Sequence, residues 1–352
     1  MKEFDEVFVD KTKYGTKLKT SDYKECGKYP IIDQGQETIA GYTDAEDGVF
    51  KEVPVIIFGD HTRVIKYVDK PFFLGADGVK VLRSKYLDAN YRYLFYALLN
   101  LKIPNTGYNR HFKWLKEAKI QYPTLKQQEK VVGILDKIEE VIAARNKQLN
   151  ALDELIQARF VEMFGDPVCN SHDLPEATLP ELGEFGRGVS KHRPRNDSNL
   201  LGGRYPLIQT GDVATSELYI TSYTNTYSEL GLKQSKMWKK GTLCITIAAT
   251  IAKTAILAFD ACFPDSVVGF IANEKTNNVF VHYWFTFFQS ILEAQAPESA
   301  QKNINLKILS ELKIIVPKKE LQDEFVTFVN QVNKSKLVIK NLLQIYKHQI
   351  QM

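Results

Sequence analysis

Apolar residues along this chain fall into two kinds of pattern. In the first, short unbroken apolar runs are bounded by Gly, Pro and Asp: "VPVIIFG", "PFFLGADGVKVL", "GTLCITIA" and "TAILAF". Runs of this length, rich in β-branched and aromatic residues, predict strands. The second pattern is long and helical. Steps of three and four from Leu135 give Leu135, Ile138, Ile142, Arg145, Leu149, Leu152, Ile156, Arg159 and Met163, seven of nine apolar. The same stepping from Val329 gives Val329, Val332, Lys336, Ile339, Leu343, Tyr346 and Ile350, six of seven apolar. A spacing of 3.5 residues sustained that far predicts a coiled coil. The first helix is expected over about Gln127 to Phe164, roughly 57 Å long, and the second over about Leu321 to Met352. Pro123 and Pro317 stand just before them, where proline is tolerated. Gly165-Asp166-Pro167 ends the first helix, because Gly accepts the left-handed turn past a helix end and Pro cannot continue it.

The two helices close two copies of one unit. "GKYPIIDQG" at Gly27–Gly35 matches "GRYPLIQTG" at Gly203–Gly211, and "YLFYALLN" from Tyr93 resembles "YWFTFFQS" from Tyr283. "NRHFKWLKEAKIQYPTLKQQE" from Asn109 aligns without a gap with "NINLKILSELKIIVPKKELQD" from Asn303, pairing Lys113 with Lys307, Pro123 with Pro317 and Gln128 with Gln322. Three ordered blocks are a repeat, not a chance match. The expected fold is α+β: two globular α/β parts separated by two long helices that pair antiparallel, giving a pseudo-twofold molecule from one chain. Boundaries follow at 1–122 and 167–316 for the globular parts, 123–166 for the central helix and 317–352 for the C-terminal helix. An antiparallel pair would set the globular parts at opposite ends of a rod.

Composition narrows the class. The chain has 352 residues, 44% hydrophobic and 25% charged, with a net charge of +4. This is ordinary for a globular protein of about two domains. No apolar run suits a membrane span or a signal peptide. Cys26, Cys169, Cys244 and Cys262 lie far apart with no CxxC pair, which fits a reducing cytoplasm and no zinc site. The charge is local: "RGVSKHRPR" at Arg187–Arg195 carries no acid, and "KIPNTGYNRHFKWLKEAK" at Lys102–Lys119 carries only Glu117. Lys126 to Phe164 holds six Lys/Arg against seven Asp/Glu. Basic clusters on a nearly neutral chain suit a polyanion that touches selected surfaces.

Catalytic signatures are missing. No GxGxxG, P-loop, HExxH or GxSxG motif occurs, nor the Asn/Asp-Pro-Pro-Tyr stretch of an amino-adenine methyltransferase. "FGDH" at Phe58–His61 sets Asp60 beside His61, but neighbours on a strand face opposite ways, so a satisfied loop pair is the better reading. The chain reads as a binder with no cofactor of its own, not as an enzyme.

Two globular units, each followed by a repeat-matched long helix, resemble the DNA-specificity subunit of Type I restriction–modification systems. The most specific pieces are the Lys-Ile-x-x-Pro-x-x-x-x-Gln pattern at Lys119–Gln128 and Lys313–Gln322, and "MFGDP" after the first helix. The resemblance covers essentially the whole chain. It implies that each globular unit is a target recognition domain reading one half of a split double-stranded DNA target. The helices would set the spacing and dock two methyltransferase subunits, which carry S-adenosylmethionine. Nuclease–translocase subunits would complete the complex.

Base edges and phosphates call for Arg, Lys, Asn, Gln and hydroxyl groups. Candidate DNA contacts in the first unit are Gln34, Gln36, His61, Arg63, Tyr108, Asn109, Arg110 and Lys113. In the second they are Lys191, Arg193, Arg195, Gln209, Thr210, Lys233, Gln234, Lys236 and Lys253. Lys113 and Lys307 are expected in basic loops near phosphates. Arg145 and Arg159 interrupt the apolar stripe. They either snorkel to the coil edge or pair with acids on a methyltransferase partner. A coiled-coil scaffold joining two protein-binding heads is the alternative function. It accounts for the rod and the repeat but leaves the basic clusters unused.

Overall fold

Strand Val55–Gly59 is buried along its whole length, and its side chains alternate between two cores. Ile56 and Phe58 join Phe4, Phe8, Leu94 and Phe112, whereas Val55 and Ile57 join Ile32, Phe72 and Leu74. An unbroken apolar run is what a strand covered on both faces requires. The computed structural model describes residues 1–195, 197–248, 250–295 and 304–351. Asn303, which opens the second repeat block, Met352 and the side chain of Ile350 lie outside the described residues.

The chain divides into two compact units, Met1–Asn146 with Lys340–Met352, and Lys147–Ile339. Each takes a segment of both long helices. Among the described residues of the first unit, one antiparallel sheet runs in the order Phe8–Asp10, Val79–Ser84, Val55–Gly59, Ile65–Val68. A smaller sheet sets Tyr29–Ile32 antiparallel to Gly41–Thr43 and parallel to Phe73–Leu74. In the second unit the large sheet runs Gly183–Arg187, Val267–Ala272, Leu243–Thr246, Thr254–Leu257, Tyr219–Ile220. Its smaller sheet sets Leu201–Leu207 antiparallel to Asn225–Tyr227 and parallel to Ala261–Cys262. The shared pairings keep the same order, so the repeat is a repeat of topology; the second unit adds Tyr219–Ile220 at the edge of its large sheet and Met237–Trp238 at the edge of its small one. Strand Leu243–Thr246 repeats the alternation too: Leu243 and Ile245 enter one core and Cys244 another.

Each unit then closes with an aromatic helix, Tyr91–Leu99 or Asn278–Gln295, a short helix, Phe112–Lys116 or Leu306–Glu311, and a two-residue strand before its long helix. The long helices span Leu125–Phe164 and Lys319–Gln351. Every described side chain on the two heptad faces, Arg145 and Lys336 included, is buried or half-buried. Within the second unit the helices are antiparallel. Asp153 meets Lys336 at 2.5 Å, Arg159 meets Glu324 at 3.0 Å, and the Phe160 and Phe325 rings lie 5.4 Å apart. Phe160, Phe164, Phe280 and Phe325 form one mutually edge-packed and stacked group. Burial of each such ring contributes about 1.5–3 kcal/mol.

The repeated Gln has a structural role. Gln128 Nε2 donates to the Pro123 carbonyl at 2.9 Å, and Gln322 Nε2 to the Pro317 carbonyl at 2.8 Å. Both residues are fully buried. Each closes the loop that a proline has opened before a long helix. Gly165, at φ +75°, takes the left-handed conformation past the first helix, and a Cβ there would lie 2.4 Å from Ser171 Oγ. Asp166 follows by accepting the Val168 amide at 2.8 Å. Among the described residues no helix is long and apolar enough to cross a membrane.

Candidate nucleic-acid interface

The first unit gathers its candidates around the turn that follows Val55–Gly59. Asp60 is buried there, with Oδ1 accepting the Phe112 amide at 2.8 Å and its carbonyl accepting the His111 amide at 2.7 Å. Of the "FGDH" pair Asp60 is satisfied and bolts the turn to the loop carrying Tyr108, Asn109 and Arg110, whereas His61 Nδ1 is buried without a hydrogen-bond partner. His61 stacks on Tyr108 with ring centroids 5.0 Å apart and planes 12° apart. Tyr108, Arg110 and Gln36 are exposed. Gln34 is turned inward instead: Oε1 accepts the His61 amide at 3.1 Å, and Nε2 donates to the Asp77 carbonyl at 3.0 Å. These two bonds fix its amide in place, so it positions His61. Arg63, at φ +61°, donates to the Ile103 carbonyl at 3.2 Å. Asn109 donates its side-chain amide to the Thr106 carbonyl. Asp77 is held below the usual carboxylate range by its bond from Lys17, with Arg110 and His61 adding to the positive field.

Lys113 is exposed on the short helix Phe112–Lys116, with Nζ 4.7 Å from the Trp114 ring, and Lys307 is exposed on Leu306–Glu311. Both expected loops are therefore single helical turns, formed because buried Leu115 and Leu309 anchor them from below.

The second unit builds a concave site of about 750 Å³ that includes Arg195, Gln209 and Thr210 in its lining. Around them stand Arg187, Ser190, Asn225, Asp265 and Asn305, with Leu207, Tyr227 and Ile304 as apolar wall. The volume falls within the range of ligand pockets generally. Ser190 Oγ is buried behind the wall without a hydrogen-bond partner. Asp265 pairs with both Arg195 and Arg193, the latter at 3.4 Å, and Arg193 also donates to the Ser190 carbonyl at 2.6 Å. Arg193 thus shapes the loop. Gln234 accepts the His192 amide at 3.0 Å and Lys191 donates its backbone amide to the Gln234 carbonyl at 3.3 Å. Lys236 pairs with Glu184 at 3.0 Å and lies 3.7 Å above the Trp238 ring. Lys253 is half-buried, while Lys191 and Lys233 are exposed. The site residues that the sequence did not single out are Ser190, Asn225, Asp265 and Asn305. They come from four separate segments and carry no basic signal.

Among the described residues no cluster of His, Cys, Asp or Glu is arranged to hold a metal ion. The four cysteines are free, with Cys244 and Cys262 buried. Both sites present polar and basic side chains on hydrogen-bonded segments, the arrangement that suits recognition.

The family model for the Type I restriction modification DNA specificity domain matches residues 1–154 and again residues 176–345. The chain belongs to that family. Its two specificity domains coincide with the two copies of the sheet topology. The chain is similar to the Type I restriction enzyme EcoR124I/EcoR124II specificity subunit of Escherichia coli, 25% identical over 92% of this chain and 85% of that protein. It is also similar to the putative Type I restriction enzyme MjaX specificity subunit of Methanocaldococcus jannaschii, 24% identical over 80% of this chain and 74% of that one. In fold it resembles the Type I restriction–modification system S subunit from M. genitalium, with a TM-score of 0.54 at 18% identity over 99% of this chain and 94% of the other. A structure described as the basis of complex assembly and conformational transition of the Type I system gives 0.58, again at 18% identity, over 99% and 93%.

Of the two helix arginines, Arg159 meets its acids within its own chain. Arg159 spends its guanidinium inside the second unit, on Glu162 at 2.9 Å and Glu324 at 3.0 Å, with the Phe328 ring 5.9 Å away. It joins the two helices of its own chain. Arg145 is half-buried on the heptad face.

Proposed function

We propose that this chain is the sequence-reading subunit of a Type I restriction–modification complex, in which each specificity domain contacts one half of a bipartite double-stranded DNA target. The observation that carries the reading is the double match of one DNA-specificity family to two units of the same topology. One chain with two such heads suits a target of two parts. The loops around His61, Tyr108 and Arg110 serve one half-site, and the concave surface around Arg195, Gln209 and Thr210 serves the other. Exposed Lys113, Lys191 and Lys233 supply phosphate contacts beside them.

The chain does no bond chemistry in this reading. Methylation is carried out by two methyltransferase subunits that hold S-adenosylmethionine, and cleavage by nuclease–translocase subunits. Apolar side chains left exposed on the long helices, Ile134, Leu155, Leu337, Val338 and Ile345, offer docking surface for the methyltransferases. The compartment is the cytoplasm, where such a complex meets the chromosome.

Mapping methylated adenines in the host genome tests the reading. A split motif with a fixed gap is expected, and it should vanish when this gene is deleted. A continuous palindrome, or methylation that survives the deletion, would overturn it. Gel shifts of the co-purified complex on that motif, against a duplex with the two halves scrambled, complete the test.

A further inference from the structure

Tyr108 is 90% exposed, although hydrogen bonds tie its loop at both ends. Arg63 holds the start of the loop through the Ile103 carbonyl. Gly107, at φ +78°, makes the turn, and the Asn109 amide returns to the Gly107 carbonyl at 2.8 Å. Fully buried His111 anchors the far end, its amide on the Asp60 carbonyl and its ring Nδ1 3.1 Å from the same oxygen. Beneath Tyr108 the His61 ring is stacked, and Gln34 fixes the His61 backbone. A large ring kept in water at the tip of a braced loop contributes nothing to the core. Its stack on His61 and its tied loop favour one orientation of the ring, which reduces what binding must spend in ordering it.

We propose that Tyr108, backed by His61, is a stacking wedge that enters a base-pair step of the first half-site and packs on an unstacked base. The inference rests on the reading of the chain as a DNA-sequence reader. Three features favour a base over a phosphate as its target. The ring offers a flat apolar surface, its support is a second flat ring, and the cations that meet phosphates are close by in Arg110 and Lys113. Proteins that insert apolar side chains between base pairs use such a division, with cations outside and a ring or aliphatic wedge inside. Stacking on an aromatic ring is uncharged, so it is separable from phosphate contacts by salt.

The test uses the co-purified complex and a duplex carrying its methylated motif, with affinity measured between about 50 and 200 mM salt. Tyr108→Ala is expected to weaken binding about 5- to 150-fold at every salt concentration, with the slope against log salt unchanged. Tyr108→Phe should bind like wild type. Arg110→Ala should instead flatten the slope by about 0.9. A 2-aminopurine placed step by step through the first half-site should brighten at one step other than the methylated adenine, and Tyr108→Ala should abolish that signal. Equal losses in Tyr108→Phe and Tyr108→Ala would mark a hydroxyl contact and sink the wedge. So would wild-type affinity in Tyr108→Ala, or the absence of any brightened step. A wild-type complex that does not distinguish the motif from a scrambled duplex would instead remove the DNA-reading assignment on which the wedge depends. Tyr108 is exposed, and an unchanged thermal unfolding curve for Tyr108→Ala confirms that only the contact was removed.

Discussion

Replacing Gln322 with Met tests whether the glutamine of the repeated Lys-Ile-x-x-Pro-x-x-x-x-Gln pattern holds the fold or serves recognition. The substitution keeps the volume and removes the amide. Gln322 is fully buried and makes three hydrogen bonds: Nε2 to the Pro317 carbonyl at 2.8 Å and the Lys275 carbonyl at 3.0 Å, and Oε1 from the Thr276 hydroxyl at 2.9 Å. Lys275 is exposed, so its carbonyl regains water. Pro317 and Thr276 are buried and lose their partner outright. At about 1–3 kcal/mol for each abandoned buried group, the cost should be about 2–4 kcal/mol. Gln128 in the first unit donates to the Pro123 carbonyl at 2.9 Å. Pro123 is half-buried, so Gln128→Met should cost about 1 kcal/mol. Urea unfolding reads this directly, because Trp238 and Trp284 report on the second unit and Trp114 on the first. With a slope of about 2 kcal/mol per molar, Gln322→Met should lower the midpoint of the second-unit transition by about 1–2 M. A Gln322→Met protein within about 0.5 kcal/mol of wild type, or no weaker than Gln128→Met, would refute the structural role.

Three other outcomes follow from the same contacts. Lys336 is 5% exposed, pairing with Asp153 at 2.5 Å and Glu217 at 3.2 Å, both of which are half open to water. Lys336→Met should therefore lie within about 1 kcal/mol of wild type by thermal unfolding, whereas Asp153→Lys, which removes one partner of the buried Lys336 ammonium and brings a second cation to its open side, should cost more than Lys336→Met. His282 is buried with Nδ1 2.9 Å from the Thr254 hydroxyl, and burial lowers its pKa to about 4. From pH 6.5 down to about 4 the unfolded chain takes a proton that the folded one refuses. Stability should fall by about 3 kcal/mol over that window, and His282→Asn should flatten that part of the pH profile. Lys113→Ala should reduce the salt slope of DNA binding by about 0.9 without altering which bases are read; an unchanged slope would take Lys113 off the phosphates.

The sequence alone determined the elements whose causes are local. Helix ends were legible because Pro123, Pro317 and Gly165 act on their own turns. The buried faces of the long helices were legible because a heptad repeats within one element. The buried strands were legible because an apolar run of that length has few other uses. The repeat was legible because three blocks kept their order, and its topology followed.

What the tertiary structure decided is where side chains from distant segments meet. Gln34 and Arg110 look equally available in the sequence, yet Gln34 is spent on His61 and Asp77 while Arg110 stays exposed. Arg159 and Lys336 both break an apolar stripe, and only the pairing of two helices with a third segment showed Glu324, Asp153 and Glu217 as their partners. Asp265 reaches the basic loop at Arg193–Arg195 across a gap in the chain that no periodicity spans. A local pattern fixes which face of an element is buried, because that depends on the period of one helix or strand. The atom that a polar side chain finally meets depends on loop closure between remote segments, and no single stretch of sequence contains that information.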